Sequence, residues 1–284
     1  MYRIAILGCE NSHADAFIKL IQAGNYPEVE VVGVYTDDES ANQRMRNNYG
    51  VYTAASFDEF VGKVDGVMVT ARHGDNHLKY LRPYLSSGMP VFIDKPATAS
   101  VDDARELAAL LEKYKNPFSG GSSVALTPEV QGMAAAAGEH GKLFGGHVRA
   151  PIDFKNPYGD FWFYSQHLVQ MMQEVFGYHP TSVRAMPNAG GVSCVYRYPD
   201  YDVYAEFVSG NYEYYISISA EDGVHGTPVY VSESIYVREM DNYYKILTGG
   251  NSPMSATDFF APVFVIDATI RALASGNEEK IERL

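Results

Sequence analysis

The stretch Met89-Pro90-Val91-Phe92-Ile93-Asp94-Lys95-Pro96 decides the fold of this chain. Its Val, Phe and Ile run is typical of a strand in a parallel sheet, where both faces are covered. The charged pair Asp94-Lys95 follows where this strand leaves the core, and ligands of open α/β sheets bind at such strand ends. Pro96 ends the strand and favours extended geometry at Lys95, which directs the amine out of the sheet. Taken alone, these residues are explained slightly better by a solvated ion pair that caps a strand end.

Strands and helices alternate through the first 120 residues. Strands are predicted at 4–7, 29–35 and 65–70, then at the quoted stretch and near 116–119; helices are predicted at 13–23, after Ser40 up to Gly50, at 76–87 and at 101–115. Strands separated by helices of this length are typical of right-handed βαβ units. Residues 1–120 are therefore predicted to form a Rossmann-type domain with a doubly wound parallel sheet.

The sequence changes character beyond residue 120. A helix at 127–137, a strand at 143–154 and an aromatic segment at 161–176 precede a tyrosine-rich region in which polar and apolar residues alternate. Such alternation predicts a mostly antiparallel sheet. A last helix at 259–274 is expected to dock back on the first domain. Residues 121–284 are thus predicted to form a second, α/β domain.

Composition excludes several classes of partner. The net charge is −13 and no long Lys/Arg run occurs, so neither nucleic acid nor an anionic membrane is expected as a partner. The two cysteines, Cys9 and Cys194, are too far apart in sequence to suggest a disulfide framework or a metal site. No leader pattern and no apolar run of about 20 residues is visible. We expect a cytoplasmic protein without a bound metal.

The turn after the first strand is an imperfect dinucleotide fingerprint. Of the three glycines that this motif needs, only Gly8 is in place, because Glu10 and His13 occupy the other two positions. Asn11 and Ser12 still offer capping oxygens, side-chain donors and a helix N-terminus to an anion. A simple capped helix explains the same residues about equally well.

The end of the second strand bears on the choice of cofactor. Thr36 stands where the fingerprint has its ribose-binding acid, and Asp37 follows it. No Arg or Lys is adjacent to receive a 2′-phosphate. NAD is therefore favoured over NADP.

Together the amino-terminal βαβ unit, the run Asp94-Lys95-Pro96 and His167 in an aromatic helix resemble the Gfo/Idh/MocA family, named for glucose-fructose oxidoreductase and inositol dehydrogenase. The resemblance covers essentially the whole chain. It implies a Rossmann domain followed by an α/β domain with a large open sheet, and the oxidation or reduction of a sugar or cyclitol carbon with NAD(P). It also implies a homodimer or homotetramer formed through that sheet.

The resemblance assigns roles to particular residues. Lys95 is expected to contact the nicotinamide ribose and the reacting hydroxyl, with Asp94 positioning it, and His167 to act as acid/base or substrate ligand. The expected cofactor-binding residues are Gly8, Asn11, Ser12, His13, Thr36, Asp37, Thr70, Arg72, His73, Asp94 and Lys95.

Departures from the family pattern lie around the same residues. Where members often carry acids near the histidine, this chain has Phe163 and Gln170. Tyr164, Asp153 and Lys155 are the candidates that could take their place as substrate ligands, although each could equally be an ordinary polar residue. The loop after Thr70 is longer than usual, and its Arg72 and His73 are candidates for binding the cofactor diphosphate or the substrate. The alternative, which is compatible with this role, is a loop stabilised by Asp75 as the cap of the next helix.

Two functions follow from the sequence. The first is an NAD(P)-dependent oxidoreductase acting on CH-OH groups of a polyhydroxylated substrate, with Lys95 and His167 as catalytic residues. The second is a non-catalytic ligand-binding or scaffold protein of the same fold that has lost the dinucleotide, which Glu10, His13, Thr36 and Phe163 motivate. We also predict a cis peptide bond between Lys95 and Pro96.

Overall fold

The computed structural model describes residues 1–284. The first part of the chain contains β1 (Tyr2–Leu7), α1 (Ser12–Gln22), β2 (Val29–Tyr35), α2 (Glu39–Tyr49), β3 (Gly66–Val69), α3 (Asp75–Leu85), β4 (Val91–Asp94), α4 (Val101–Tyr114) and β5 (Phe118–Gly121). A short 3₁₀ turn (Ser123–Leu126) follows, and then come α5 (Pro128–Ala137), β6 (Leu143–Pro151), α6 (Phe161–Phe176), β7 (Ser182–Asn188), β8 (Gly191–Arg197), β9 (Asp202–Val208), β10 (Tyr214–Ala220), β11 (Gly223–Val229), α7 (Ser234–Leu247), α8 (Ala256–Ser275) and β12 (Glu279–Lys280).

These elements form two compact units. The first unit comprises residues 1–121 and 233–255, and the second comprises residues 122–232 and 256–284. The sequence placed all of 121–284 in one domain and contained no prediction for α7, so the segment 233–255 is where the structure differs from that division. No helix of this chain is both long enough and apolar enough to cross a bilayer.

The first unit is built on the predicted parallel sheet. Its five strands lie in the order β2-β1-β3-β4-β5, and all pairs are parallel. β4 is the strand of the quoted stretch, and Val91, Phe92, Ile93 and Asp94 on it are all fully buried. The Rossmann-type fold expected from the alternating pattern is therefore confirmed.

α7 completes the core of the first unit. Its residues Met240, Tyr243, Ile246 and Leu247 recur at helical spacing, and all four are buried. Tyr243 packs edge-to-face on Phe92 of β4, with 6.1 Å between ring centroids. Burial of this apolar stripe explains why residues far along the chain belong to the amino-terminal fold.

The second unit has a seven-stranded sheet in the order β11-β10-β6-β9-β8-β7-β12. Every pair is antiparallel except β6 with β9, which agrees with the mostly antiparallel sheet expected from sequence. One face is apolar and packs on helices, with α6 against β6 and α8 against β7. A buried row crosses this face through Ala185, Cys194, Ala205, Val148 and Ile216.

Candidate functional site

Asp94, at the end of β4, is the centre of a buried polar cluster in the first unit. Its Oδ2 atom accepts a hydrogen bond from Asn11 Nδ2 at 3.2 Å and lies 2.8 Å from His13 Nδ1, although the angle of the latter contact is not that of a well-formed hydrogen bond. Its Oδ1 atom accepts from the backbone N–H of Lys95 at 2.7 Å. Burial disfavours the carboxylate, but His13, Lys95 and this N–H outweigh it and hold the pKa of Asp94 below its usual value.

Lys95 is buried beside this carboxylate, and the Lys95-Pro96 peptide bond is cis, as predicted. Burial lowers the pKa of the lysine, the charges of Asp94 and Glu239 raise it, and the charge of Arg72 lowers it again; the net pKa is below the ordinary value. A lysine with a lowered pKa gives up its proton more readily than an exposed one. The amine that the sequence placed at this strand end therefore lies in an environment suited to proton exchange.

Glu239 on α7 is the member of the cluster that sequence reasoning missed. Its side chain is only 1% exposed, and neither carboxyl oxygen has a hydrogen-bond partner. Burial raises the pKa of Glu239 well above its usual value, and the charge of Asp94 raises it further, while Lys95 opposes the shift. The signal in the sequence was an acid on the apolar face of an amphipathic segment, one position before Met240.

Asp94 and Glu239 thus have opposite environments beside one lysine. Asp94 has hydrogen-bond donors on both oxygens and stays ionised, whereas Glu239 has none and retains its proton more strongly. In active sites, two carboxyl groups whose pKa values are shifted in opposite directions commonly have different roles, one as a proton donor and the other as an anion.

The turn between β1 and α1 lies next to this cluster. Asn11 caps α1, because its Oδ1 accepts from the N–H of His13 at 3.3 Å. His13 is buried, and its ring contacts Phe17 and Tyr236, the latter at 5.0 Å between centroids. The N–H groups of Glu10 and Asn11 have no acceptor within the chain. These free N–H groups at a helix N-terminus provide an anion-binding position.

Gly8 is required at the start of this turn. Its φ is +89°, and a Cβ on it would lie 2.3 Å from Cα of Ala71. The backbone of the loop after β3 therefore packs directly against the turn after β1, with no room for a side chain at Gly8. Thr70 holds the same contact, since its Oγ1 donates to the carbonyl of Gly8 at 2.9 Å.

Glu10 connects the ends of three strands. Its carboxylate accepts from Thr36 Oγ1 at 2.8 Å, just after β2, and from the N–H of Arg72 at 2.9 Å, just after β3. The Asp37 carboxylate instead accepts from the hydroxyl groups of Tyr35 and Tyr80. The carboxylate that contacts Thr36 at the end of β2 is therefore that of Glu10, from the loop after β1. The sequence did not show this contact.

The loop after β3 is held by a histidine that was not predicted as important. His77 is buried, with Nε2 2.8 Å from the carbonyl of Ala71 and Nδ1 3.2 Å from that of Ala97. Burial lowers the pKa of His77.

His73 is half-exposed beside Asp75. The expectation that Asp75 caps α3 was wrong, because Asp75 is the first helical residue and Gly74 holds the cap position without a side-chain bond.

The residues at this edge suit a dinucleotide. Free N–H groups at α1 can bind a diphosphate, the Glu10 carboxylate can accept from ribose hydroxyl groups, and the buried pair Asp94-Lys95 follows β4. Two acids near the end of β2, Glu10 and Asp37, disfavour a 2′-phosphate there. This agrees with NAD as the favoured cofactor.

His167 is placed in the second unit, on α6, and is 6% exposed. Its Nδ1 lies 2.7 Å from Ser122 Oγ, and the ring packs edge-to-face with Tyr164 at 5.4 Å. Gln170 accepts from the N–H of Ser122 at 2.8 Å and from Gln166 Nε2 at 3.2 Å. Ser122 and Gln170 therefore fix the position of the histidine, and Ser122 had no role in the sequence prediction.

Asp153 and Lys155 lie in the loop between β6 and α6 of the same unit. Asp153 Oδ1 accepts from the N–H of Lys155 at 3.2 Å, and the Asp153 carbonyl accepts from Asn156 at 2.9 Å. These contacts stay within the loop. Of the three predicted substrate ligands, Tyr164 packs against His167. Asp153 and Lys155 contact each other within their own loop.

The parallel sheet, the capped helix N-terminus and the buried groups after β4 define the first unit as a dinucleotide-binding Rossmann domain. Residues 2–122 match the GFO_IDH_MocA family, described as an oxidoreductase family with an NAD-binding Rossmann fold. The match covers the Rossmann domain and less than half of the chain. The resemblance noted from Asp94-Lys95-Pro96 is thereby confirmed.

Solved structures extend the likeness to the whole chain. Scyllo-inositol dehydrogenase from Lactobacillus casei, with bound NAD(H) and scyllo-inositol, has a TM-score of 0.85 at 13% identity, covering 99% of both chains. GenD2 from gentamicin A biosynthesis, in complex with NAD, gives 0.85 at 15% identity, covering 99% of this chain and 96% of its own. Myo-inositol 2-dehydrogenase from Lactobacillus plantarum gives 0.84 at 13% identity, covering 99% of both chains. At these identities the likeness establishes the fold. No curated protein matches the sequence significantly.

Proposed function

We propose that this protein is an NAD-dependent oxidoreductase that acts on a CH-OH group of a sugar, cyclitol or similar polyhydroxylated molecule. The observation that carries the proposal is the buried amine of Lys95, which follows β4 of the Rossmann domain. Its charge is coupled to Asp94, whose pKa is lowered, and to Glu239, whose pKa is raised. The ligands named for the similar Lactobacillus casei enzyme, NAD(H) and scyllo-inositol, support the same substrate class.

Three parts of the cofactor have a group of this chain that would hold them. The N–H groups at the start of α1 bind the diphosphate, and the Glu10 carboxylate accepts from the adenosine ribose. Lys95 contacts the nicotinamide ribose, as the family resemblance implies. When bound, the nicotinamide supplies the hydride acceptor or donor of the reaction.

Lys95 and His167 manage the proton of the reacting hydroxyl. A cationic Lys95 stabilises negative charge that develops on the alcohol oxygen, and its lowered pKa lets it pass a proton onward. His167 takes the proton as base or holds the hydroxyl, with its ring fixed by Ser122 Oγ at 2.7 Å. Tyr164, whose ring packs against the histidine, is the best-placed candidate to contact the substrate.

The test begins with cofactor binding. NAD and NADP are titrated separately while the melting temperature is recorded, and NAD is expected to raise it more than NADP. Absence of a shift with either dinucleotide would favour the non-catalytic ligand-binding protein of the same fold.

Activity is then followed as NADH absorbance with a panel of inositols and sugars. We expect Lys95→Ala and His167→Ala each to lower kcat/KM by a factor of about 10² or more. Lys115→Ala is the matched control, because its ammonium group is exposed and pairs with Glu112 on the surface. Activity that survives both Lys95→Ala and His167→Ala would reject the roles assigned to them.

The open face of the seven-stranded sheet supports assembly into a homo-oligomer. A row of mostly exposed or half-exposed side chains crosses the face opposite the helices, through Met186, Ser193, Glu206, Arg149 and Tyr215. Such a broad uncovered sheet face suits pairing with a second copy of the chain. Light scattering measures the oligomer size, and Tyr215→Asp, which adds a charge to this face on β10, is expected to shift it towards the monomer.

A further inference from the structure

Three side chains of types that can ligate a metal, none of them part of the site described above, meet in the second unit. His140 Nδ1 lies 2.7 Å from Asp222 Oδ2, and His225 Nε2 lies 2.9 Å from Asp222 Oδ1. The three donor atoms all lie within 4.8 Å of one another. Because His140 and Asp222 are 82 positions apart in sequence, the cluster could not be read from sequence spacing, and no metal site was expected.

The fold explains why these residues converge. Ala220 pairs with Gly223, so Glu221 and Asp222 form the two-residue turn between β10 and β11. His225 pairs with the buried Ile218, which places it on the helix-covered face of the sheet. α5 packs on β10 and β11, and His140 follows the end of this helix. The N–H of Lys142 donates to Glu221 at 3.4 Å and holds the loop against the turn.

The donor set selects the kind of ion. Two imidazole nitrogens and one carboxylate oxygen, with a fourth position left to water, are a ligand set used by Zn²⁺, and Cu²⁺ and Ni²⁺ accept similar donors. Mg²⁺ and Ca²⁺ prefer oxygen ligands throughout. His140 follows the carbonyl end of α5 by three residues, and the negative end of a helix dipole favours a cation close to it.

We propose that His140, Asp222 and His225 bind one divalent transition-metal ion of the Zn²⁺ class. A tetrahedral ion with bonds of about 2.1 Å holds its ligand atoms about 3.4 Å apart, so the carboxylate must withdraw slightly from both rings. The two imidazole rings are stacked 3.7 Å apart, with 18° between their planes, and they must tilt to point at a common ion. Partial exposure of the three side chains, 24%, 51% and 36%, leaves room for this movement.

A bound ion would link the loop after α5 to the turn of the edge hairpin. This is a crosslink between two segments of one chain, at the end of the sheet formed by β11. It is independent of NAD binding and of the roles of Lys95 and His167.

The test uses chelator-treated protein without an affinity tag. Zn²⁺ is titrated by calorimetry, Co²⁺ by its visible absorption spectrum, and the melting temperature is recorded with each ion. We expect one ion per chain, a tetrahedral Co²⁺ spectrum and a rise in melting temperature. His140→Ala and His225→Ala are each expected to weaken binding by about tenfold or more. His147→Ala is the matched control, because this histidine faces a single acid, Glu206, at 3.6 Å.

Four outcomes overturn the proposal. Binding without saturation, or binding reduced equally by the control variant, identifies an adventitious ion only. Unchanged affinity in the His140→Ala/His225→Ala double variant, with normal circular dichroism, also rejects the site. Zn²⁺ uptake that occurs only together with dimerisation places the ion between copies and rejects a site within one chain.

Discussion

Replacing Glu239 by Gln tests the buried cluster through protein stability alone. Glutamine keeps the volume of the side chain and removes its ionisation. Because both oxygens of Glu239 lack hydrogen-bond partners, the substitution breaks no bond in the folded protein. Its effect on the free energy of unfolding therefore reports mainly on the buried carboxyl proton.

The sign follows from proton linkage. Glu239 has a usual pKa of 4.5, and burial followed by the charge of Asp94 raises it well above that value in the folded protein. Between these two pKa values the folded state keeps a proton that the unfolded state loses, so stability falls as pH rises. The loss is about 1.4 kcal/mol for each pH unit in this window and is absent below the unfolded-state pKa.

We expect Glu239→Gln to abolish this loss. The variant and the parent should be nearly equal in stability near pH 4.5, the ordinary pKa of the group, and the variant should become the more stable as pH rises. Each kcal/mol corresponds to roughly 2–4 °C in melting temperature for a domain of this size. Urea unfolding followed by circular dichroism, repeated from roughly pH 5 to pH 9, measures the difference directly.

Asp94→Asn is the control with the opposite sign. Burial opposes its ionisation, but His13, Lys95 and the Lys95 N–H hold the pKa of Asp94 below 3.8. The stability that it contributes is present above that value and is lost as pH falls through the folded-state pKa, so the asparagine variant should be the weaker protein at neutral pH. If Glu239→Gln also proves less stable than the parent at neutral pH, Glu239 is ionised and paired with Lys95, and the assignment of its proton is refuted.

Three further substitutions test single contacts. Gly8→Ala should destabilise the protein by about 3 kcal/mol or more in urea unfolding, because its Cβ would lie 2.3 Å from Ala71 Cα; Gly24→Ala, which also has a positive φ but open space around it, should cost less. Glu10→Gln should weaken NAD binding about tenfold in calorimetry, since a charged acceptor for the ribose is lost, whereas tighter binding would show that this carboxylate repels the diphosphate. Ser122→Ala should lower kcat about tenfold with little change in KM, because Ser122 orients His167; Ser123→Ala is the neighbouring control, and equal effects would assign both serines a structural role only.

The local sequence pattern was sufficient to predict much of this fold. The buried run 91–93 predicted β4, alternating strands and helices predicted the parallel sheet, and Asp94-Lys95-Pro96 carried the family resemblance. These features could be predicted because strands and helices repeat their buried positions every two and about 3.6 residues, so the pattern is visible among residues close in sequence. The period-2 alternation after residue 180 predicted the second sheet for the same reason.

Contacts between distant parts of the chain were decided only by the tertiary structure. The sequence did not show that Lys95 would be the neighbour of Glu239, that Glu10 would reach Thr36 and Arg72, or that Ser122 would hold His167. The pairing of His140 with Asp222 is of the same kind. Desolvation and charge coupling depend on which groups are near in space, so the chemistry of these side chains is set by packing rather than by their order in the chain.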